Sequence, residues 1–369
     1  MPAQTITSLI NKVAFPSTGS NLRRKISSLY DTVTLATGTT FYRPFTTAPG
    51  NIFLRNTQFP LSGQQLFWVK YISLYLNQAI TTAAQYAGLL LGLQNSNLEI
   101  LVDSKQYWKI PLVECLSFNT AALIGDTSAL PLRFNPVTRN KPLVTPLLIN
   151  AASTVVVNLN VDAGFASAFN TNNLRISFNG FLGDVLDTSF SFNPQAGNEL
   201  QDIAFTCYDT QQVLTANQNT FNFFSQPETN VNNYSKVFPL SATERFEIQN
   251  MEVVIGGNSG TADTFDAVMN QRSTNVLTIT VDDVQLHQSQ IKDYLSIITQ
   301  LSSTFNDAGP VLTNLVDTNL VYQSKTLEVP IIIPAQGKVQ VTLQQPGSSL
   351  NQNQFITMML KGLIKRQVN

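Results

Sequence analysis

Side chains able to do acid–base or nucleophilic chemistry are scarce in this sequence. The chain has a single histidine, and a Ser-His-Asp triad or a histidine-based zinc site would have to use it. That residue, His287, follows a strand-like segment (LTITVDDVQL) and lies next to glutamines. We interpret it as a surface or interface residue. Because the sequence also lacks CxxC, HExxH and GxSxG motifs, we predict no catalytic residue, no metal site and no cofactor.

Paired carboxylates are the other arrangement that could support a reaction, since two of them suffice for glycoside hydrolysis. Glu99 and Asp103 flank one short apolar segment, and Asp282 and Asp283 follow a similar segment later in the chain. Asp103 and Asp282 end equivalent segments, which favours a role in a turn or loop. A calcium site at these positions is the alternative interpretation.

The composition indicates a surface that is polar but weakly charged. Hydrophobic residues make up 43% of the chain and charged residues only 12%, against about 25% charged residues in an average soluble domain. Such a surface solvates a lone monomer less well than a charged one, so we expect extensive self-association. The formal net charge of −1 provides no basic field for wrapping nucleic acid. We expect Cys115 and Cys207 to be buried thiols.

The strongest signal in the sequence is an internal repeat, in which short segments recur in the same order about 180 residues later. The matched segments are residues 30–32 with 208–210, 40–41 with 220–221, 59–62 with 238–241, 98–103 with 277–282, 146–159 with 330–343, and 174–182 with 356–364. Six matches in one order indicate two copies of one structural unit. We predict an arm over residues 1–28, a first unit over 29–190, a linker over 191–206 and a second unit over 207–369.

Within each copy, apolar and polar residues alternate with period two, which is typical of half-buried strands. After residues 59–62 the apolar phase changes, from Phe67 and Val69 to Ile72, Leu74 and Leu76. The second copy changes phase at the same place, with Phe246 and Ile248 followed by Met251, Val253 and Ile255. Because a one-residue slip is what a β-bulge produces, we predict the same bulge in both copies.

Long stretches rich in Asn, Thr and Gly over residues 77–96 and 256–275 are predicted to be loops. Ile291, Tyr294, Leu295, Ile298 and Leu301 fall on one helical stripe, so we predict a helix over residues 289–303 that begins at Ser289. A weaker helix is predicted over residues 110–124. Many short strands without alternating helices favour an antiparallel sandwich. The predicted fold class is all-β, with two tandem eight-stranded jelly-roll barrels and short helices in the loops.

Two segments look like strands of a known family. Residues 59–76 (FPLSGQQLFWVKYISLYL) look like an early barrel strand of tectivirus-type capsid proteins, and residues 141–159 (KPLVTPLLINAASTVVVNL) look like a later strand pair. With tandem barrels over nearly the whole chain, the sequence resembles the double-jelly-roll major capsid proteins of the tectivirus and adenovirus lineage. Its low charge and many asparagines fit a bacteriophage member.

This resemblance implies a non-enzymatic shell protein that forms homotrimers, which are pseudo-hexagonal capsomers of an icosahedral virion. The implied partners are neighbouring capsomers, minor capsid and vertex proteins, and an internal membrane in some members, with no sequence-specific nucleic acid. No signal peptide is apparent, so we expect assembly in the host cytoplasm. A phage spike or receptor-binding protein with carbohydrate-binding jelly rolls is the alternative function, and a jelly-roll hydrolase is a third.

The N-terminal arm lies outside the repeat. It combines apolar residues at helical spacing with a basic cluster, and the residues concerned are Ile6, Leu9, Ile10, Val13, Arg23, Arg24 and Lys25. The arm is predicted to contact either an inner membrane or a neighbouring capsomer. A second basic cluster near the C-terminus, formed by Lys361, Lys365 and Arg366, is expected to be a solvated edge.

Overall fold

The computed structural model describes residues 25–61, 65–78, 83–121, 133–138, 141–151, 153–184, 200–213, 218–226, 229, 231–233, 240–256, 263–264, 274–291, 294–298, 301–302, 325–345 and 354–367. The strands of the first half are β1 (Lys25–Thr34), β2 (Phe41–Tyr42), β3 (Gln65–Leu76), β4 (Asn97–Val102), β5 (Lys105–Pro111), β6 (Leu116–Ala121), β7 (Arg133–Thr138), β8 (Lys141–Asn150), β9 (Val155–Asn160) and β10 (Asn173–Asp184). The strands of the second half are β11 (Leu200–Gln212), β12 (Thr220–Phe223), β13 (Glu244–Gly256), β14 (Asp263–Thr264), β15 (Val276–Val281), β16 (Val284–Gln290), β17 (Leu295–Ile298), β18 (Leu301–Ser302), β19 (Lys325–Ile333), β20 (Val339–Gln344) and β21 (Phe355–Gln367). The helices are α1 (Ala83–Asn95), α2 (Ala163–Ala168) and a 3-10 helix (Leu112–Glu114).

Each half of the chain contains the same pair of antiparallel sheets. In the first half the strand orders are β1-β10-β3-β8 and β2-β9-β4-β5. In the second half they are β11-β21-β13-β19 and β12-β20-β15-β16, and β17 also pairs with β13. If the eight strands that the halves share are numbered in chain order, both halves have the orders 1-8-3-6 and 2-7-4-5. This arrangement is a jelly roll of two Greek keys, so the predicted fold of two tandem jelly-roll barrels is confirmed.

The side chains that were predicted to face inward form the two cores. Leu98 and Val157 are buried in the first barrel, and Leu277 and Val341 are buried at the matching positions of the second. The residues between them alternate with this buried set along β4, β9, β15 and β20. Each barrel therefore buries one face of these strands against an apolar cluster.

The predicted bulge is present in both barrels. The pairing of β3 with β10 skips Lys70, and the pairing of β13 with β21 skips Gln249. The skipped residue lets the apolar side chains on either side of it point into the same core despite the change of phase. All of these side chains are buried: Phe67, Val69, Ile72, Leu74 and Leu76 in the first barrel, and Phe246, Ile248, Met251, Val253 and Ile255 in the second.

The helix predicted over residues 289–303 is wrong in the part of this segment that the structure describes. Ser289 lies in β16, and residues 295–298 and 301–302 form β17 and β18. The cause is the length of β13: β19 pairs with β13 only over residues 246–251, whereas β17 pairs in parallel with residues 253–256. Buried backbone groups must be hydrogen-bonded, and those of residues 253–256 of β13 have no partner on β19. Residues 295–298 pair with them and therefore form a strand, although the apolar residues of this short segment have helical spacing.

The helix predicted over residues 110–124 is also wrong for residues 110–121. The strand β5 continues to Pro111, a single 3-10 turn follows, and β6 begins at Leu116. Helix α1 lies instead within the segment predicted to be a loop. It packs closely on α2, since a Cβ atom added at Gly92 would lie 2.3 Å from the ring of Phe165. Gly88 and Gly92 contributed to the prediction of a loop, but their lack of a side chain is what lets α1 lie this close to α2.

The predicted division of the chain into arm, units and linker stays a prediction. Strand β1 begins at Lys25, within the predicted arm, and β11 begins at Leu200, within the predicted linker.

Candidate functional site

His287 lies on the edge strand β16 and is half-buried. Its Nε2 atom is 2.9 Å from the Ser289 hydroxyl, which is in turn 2.9 Å from the hydroxyl of Tyr294. The histidine therefore belongs to a small polar chain that ends on a buried tyrosine. In the described part of the protein, no group of three or more His, Cys, Asp or Glu side chains is placed to hold a metal ion.

The carboxylates considered for catalysis have structural partners. Glu99 accepts a hydrogen bond of 2.9 Å from the amide of Asn158 on the neighbouring strand. Asp103 occupies the first position of the two-residue turn between β4 and β5, where φ is +51°. Its backbone N–H donates to the Thr154 carbonyl, and its carboxylate accepts from the Thr154 N–H, each at 2.8 Å.

Asp282 does the same in the second barrel. Its φ is +49°, its N–H donates to the Lys338 carbonyl at 2.9 Å, and its carboxylate accepts from the Lys338 N–H at 2.8 Å. Positive φ at both turn positions is what a tight hairpin turn of this type needs. The predicted turn role of Asp103 and Asp282 is therefore confirmed, and both carboxylates tie the hairpin to the next strand.

Two buried aspartates form hydrogen bonds to equivalent loops, one after β2 and the other after β12. The carboxylate of Asp31 accepts from the backbone N–H of Phe45 at 2.5 Å, and that of Asp209 accepts from Phe224 at 2.7 Å. Both phenylalanines have positive φ, +65° and +60°, and both are buried. A charged acceptor compensates for this unfavourable backbone conformation.

The environments of the two aspartates differ. In the first barrel the guanidinium of Arg55 lies 3.1 Å from the Asp31 carboxylate. In the second barrel the residue at the position equivalent to Arg55 is Asn232, which carries no charge. Burial raises the pKa of Asp209 above its ordinary value, and hydrogen bonds from Phe224 and other donors only partly oppose this shift. Burial, and then the charge of Asp209, also raises the pKa of Cys207. Both cysteines are free and buried, as predicted.

Equivalent asparagines bind the first strand of each barrel. Asn56 accepts from the N–H of Tyr30 and donates to the Ser28 carbonyl. In the second barrel Asn233 accepts from the N–H of Tyr208 and donates to the Thr206 carbonyl. Sequence analysis missed Asn56, Asn233 and the roles of the aspartates. The Tyr-Asp-Thr triplet that recurs in the sequence could have identified the aspartates. The asparagines are harder to find, because the number of residues between the triplet and the asparagine differs between the two copies.

Asn233 also belongs to the junction between the barrels. Its amide donates to the Lys109 carbonyl on β5 at 3.2 Å, and the Lys109 ammonium donates to the Thr229 carbonyl at 2.9 Å. The apolar cluster of the first barrel extends across this junction to residues of the second barrel, namely Tyr208, Val254, Phe355 and Met359. The two barrels therefore share a buried interface.

Lys361 is the charged centre of this junction. Its ammonium lies 2.6 Å from a carboxylate oxygen of Glu114 in the first barrel and 2.5 Å from one of Glu252 on β13. Burial lowers the pKa of Lys361, but the charges of Glu114 and Glu252 outweigh burial and raise it above its ordinary value. Lys361 thus supplies one positive charge that is shared between two carboxylates, which are themselves almost fully buried.

The expectation that Lys361, Lys365 and Arg366 form a solvated basic edge is wrong. Lys361 is largely buried, the Lys365 ammonium lies 3.4 Å from Glu247, and Arg366 forms an ion pair with Glu244. The reason is the pairing of β21 with β13, which supplies all of these acidic partners except Glu114. The sequence could not reveal which strand would lie beside the cluster.

The predicted contact of the N-terminal arm with a membrane or a neighbouring capsomer stays a prediction. Ile6, Leu9, Ile10, Val13, Arg23 and Arg24 lie outside the described residues. Lys25 is the first residue of β1 and stands opposite Leu182. Within the described ranges no helix has the length and apolar character needed to cross a membrane.

Comparisons with known proteins yield only distant likenesses of fold. No protein-family model and no curated protein matches the sequence. Among solved structures, the chain is similar to one in the PBCV-1 virus capsid, with 8% identity, a TM-score of 0.42, and coverage of 96% of this chain and 97% of that chain. It is similar to a chain of Sulfolobus Turreted Icosahedral Virus, with 8% identity, a TM-score of 0.35, and coverage of 93% and 90%. A peptide-N(4)-(N-acetyl-β-D-glucosaminyl) asparagine amidase has 7% identity, a TM-score of 0.28, and coverage of 94% and 97%.

The class of this protein follows from its own strand orders. It is a double-jelly-roll protein, whose two barrels share their topology, their bulges and their buried polar contacts.

Proposed function

We propose that this protein is a viral major capsid protein that self-assembles as homotrimers, which tile an icosahedral shell as pseudo-hexagonal capsomers. Its partners are other copies of itself, then minor capsid and vertex proteins. Its location is the virion, after assembly in the host cytoplasm. We propose a bacteriophage as the source.

The observation that carries this proposal is the equivalence of the two barrels in detail. Both have the same strand orders, the same bulge in the third strand, and an aspartate that holds a phenylalanine at positive φ. A single binding site or active site gives no reason to keep two matching barrels. A shell does, because three copies of a two-barrel chain offer six similar edges to a hexagonal lattice.

The character of the surface also supports assembly. Only 12% of the residues are charged, and several large apolar side chains are exposed, including Ile52, Phe53, Val329 and Ile332. Because exposed large apolar side chains are costly to leave in water, they are more often part of an interaction surface when several are present together.

Catalysis is not part of the proposed function. Glu99 binds Asn158, Asp103 and Asp282 hold hairpin turns, and His287 contacts Ser289. The alternative function is that of a phage spike or receptor-binding protein that binds carbohydrate through its jelly rolls. This alternative accounts for the fold but not for the equivalence of the barrels.

The test is electron microscopy of the purified full chain over a range of protein concentrations. We expect hexagonal particles at low concentration, and sheets or closed shells of such particles at high concentration. Single elongated two-barrel particles at every concentration, together with binding to a polysaccharide array, would favour the alternative function.

A further inference from the structure

Lys361, Glu114 and Glu252 form a buried cluster that carries one positive and two negative charges. The cluster joins three separate parts of the chain, since Lys361 lies on β21, Glu252 lies on β13, and Glu114 lies in the 3-10 helix of the first barrel. The side chains of both glutamates are 1% exposed, and that of Lys361 is 12% exposed. We call these three residues the junction triad.

The surroundings of the junction triad are shielded from water. Thr206 stands opposite Lys361 on the neighbouring strand β11, and Met359 stands opposite Glu252. Both residues are buried, and β5 and β8 of the first barrel pack on β11 beside them. Charged groups are costly to hold in such surroundings. A reaction that converts an ion pair into a neutral group is therefore favoured there.

The reactive atoms of the triad are close together. The Nζ atom of Lys361 lies 2.6 Å from Oε1 of Glu114 and 2.5 Å from Oε2 of Glu252. Because a carbonyl-type C–O bond is about 1.2 Å long, Cδ of Glu114 lies no more than about 3.8 Å from the lysine nitrogen. Holding two reactants near contact distance in one geometry removes much of the entropic barrier to their reaction.

The repeat of the barrel does not account for the triad. Register places Asn179 of the first barrel where the second barrel has Lys361, and Ser73 where it has Glu252. These two side chains form a neutral contact, in which the Asn179 amide donates to the Ser73 hydroxyl at 3.0 Å. The charged cluster is therefore a feature of the sheet that the other barrel covers, and Glu114 reaches it from the covering barrel.

We propose that Lys361 and Glu114 condense into an isopeptide bond, which links the two barrels covalently. The lysine nitrogen attacks Cδ of Glu114, the new C–N bond replaces one C–O bond of the carboxyl group, and the displaced oxygen leaves as water. The two protons that the nitrogen loses pass through the Glu252 carboxylate to the departing oxygen. Glu252 ends as a carboxylate, and the reaction requires no further reactant.

The roles of the two glutamates follow from their contacts. Glu252 accepts a hydrogen bond from the Lys361 ammonium, so it is placed to take a proton from the nucleophile and return it to the leaving group, as a general base and acid does. The raised pKa of Lys361 makes the ion pair the starting state. The neutral amine therefore arises by proton transfer within the triad, and the bond forms only after folding has assembled it.

The experiment is intact mass spectrometry of the purified full chain after denaturation and reduction. We expect the wild type to be lighter than the mass of its sequence by one water molecule. Trypsin should then release a branched peptide that joins residues 110–133 to residues 339–365, because trypsin does not cleave after an acylated Lys361. This peptide distinguishes the proposed bond from loss of water at any other position.

Two variants of the triad remove the reaction in different ways. Lys361→Arg keeps the positive charge between the glutamates, but a guanidinium group stays charged and does not attack a carboxyl group. Glu252→Gln keeps an oxygen that accepts from Lys361 but cannot relay protons. Both variants should have the full mass of their sequences and yield residues 110–133 as a linear peptide. Lys365→Arg, on the same strand, is the matched control and should still lose one water molecule.

A folded wild type that has the full mass of its sequence would overturn the proposed bond. So would a loss of water that persists in Lys361→Arg, because the reacting nitrogen would then lie elsewhere. All three residues of the triad belong to one chain, so the bond should form whether the protein is a monomer or a trimer. Its absence would therefore leave the proposed function standing, and a monomeric protein would leave the bond standing.

Discussion

Gly180 and Gly362 occupy the same place in the two barrels, each facing the bulge of the third strand across a backbone contact. A Cβ atom added at Gly180 would lie 1.7 Å from the Trp68 carbonyl oxygen, and one added at Gly362 would lie 1.8 Å from the carbonyl oxygen of Glu247. The bulge therefore requires the glycine. The extra residue of the third strand places a backbone carbonyl group where the Cβ atom of any other residue would lie.

Replacing either glycine with alanine should destabilise the fold. The obstructing atoms belong to the backbone, so the bulge itself must shift, and we expect Gly180→Ala and Gly362→Ala each to lower the free energy of unfolding by about 1–3 kcal/mol. Gly50→Ala is the control, because nothing lies within 4 Å of its added Cβ, and it should change stability by less than about 0.5 kcal/mol. Urea denaturation measures all three. Equal stability of the three variants would contradict the proposed linkage between bulge and glycine.

The raised pKa of Asp209 predicts how pH affects stability. Because the folded state holds the proton of this carboxyl more tightly than the unfolded state does, the contribution of Asp209 to stability falls as pH rises from its ordinary pKa of 3.8 towards the raised folded value. Asp209→Asn removes this titration and keeps one oxygen to accept from Phe224. The free energy of unfolding of the variant relative to the wild type should therefore increase with pH across that window.

Denaturation of both proteins at several acidic pH values measures this difference. Gly50→Ala, which changes no ionisable group, serves as the control, and its difference from the wild type should not change with pH. A difference for Asp209→Asn that stays constant or decreases with pH would show that the folded protein does not raise this pKa.

Removing the positive charge from the barrel junction should be severe. Lys361→Met leaves Glu114 and Glu252 buried without their counter-ion, and breaking a buried pair in this way costs about 3–5 kcal/mol. Adding Glu114→Gln and Glu252→Gln to the same chain removes the uncompensated charges and should restore most of the loss. Denaturant titrations of the single and triple variants measure the effect.

Lys365→Met is the matched control for this experiment. It lies on the same strand and also pairs with a glutamate, but its ion pair with Glu247 is more exposed to solvent, so its loss should cost about 1 kcal/mol or less. If Lys361→Met were as mild as Lys365→Met, the junction would not depend on the buried charge.

The sequence predicted those parts of the fold that depend on local alternation. The inward residues of β4 and β15, the bulges in β3 and β13, and the turns at Asp103 and Asp282 all follow from the period of two and from matching the two copies. Two copies of one pattern allowed features to be recognised that a single copy would not have revealed.

The parts that were not predicted depend on partners that are distant in sequence. Leu295 lies on a helical stripe, yet it forms a strand because the edge of β13 beside Val253 needs hydrogen bonds. Lys361 looks like a surface residue until Glu114 of the other barrel is known to lie beside it. Neither requirement is visible within a window of adjacent residues.

The mass of the purified full chain in solution tests the central claim most directly. One chain has a mass of 40.6 kDa, and the account predicts a stable species of three times that mass by light scattering, unchanged on moderate dilution. A stable monomer with no tendency to associate would contradict the account, and would favour a carbohydrate-binding protein in which two equivalent barrels have another purpose.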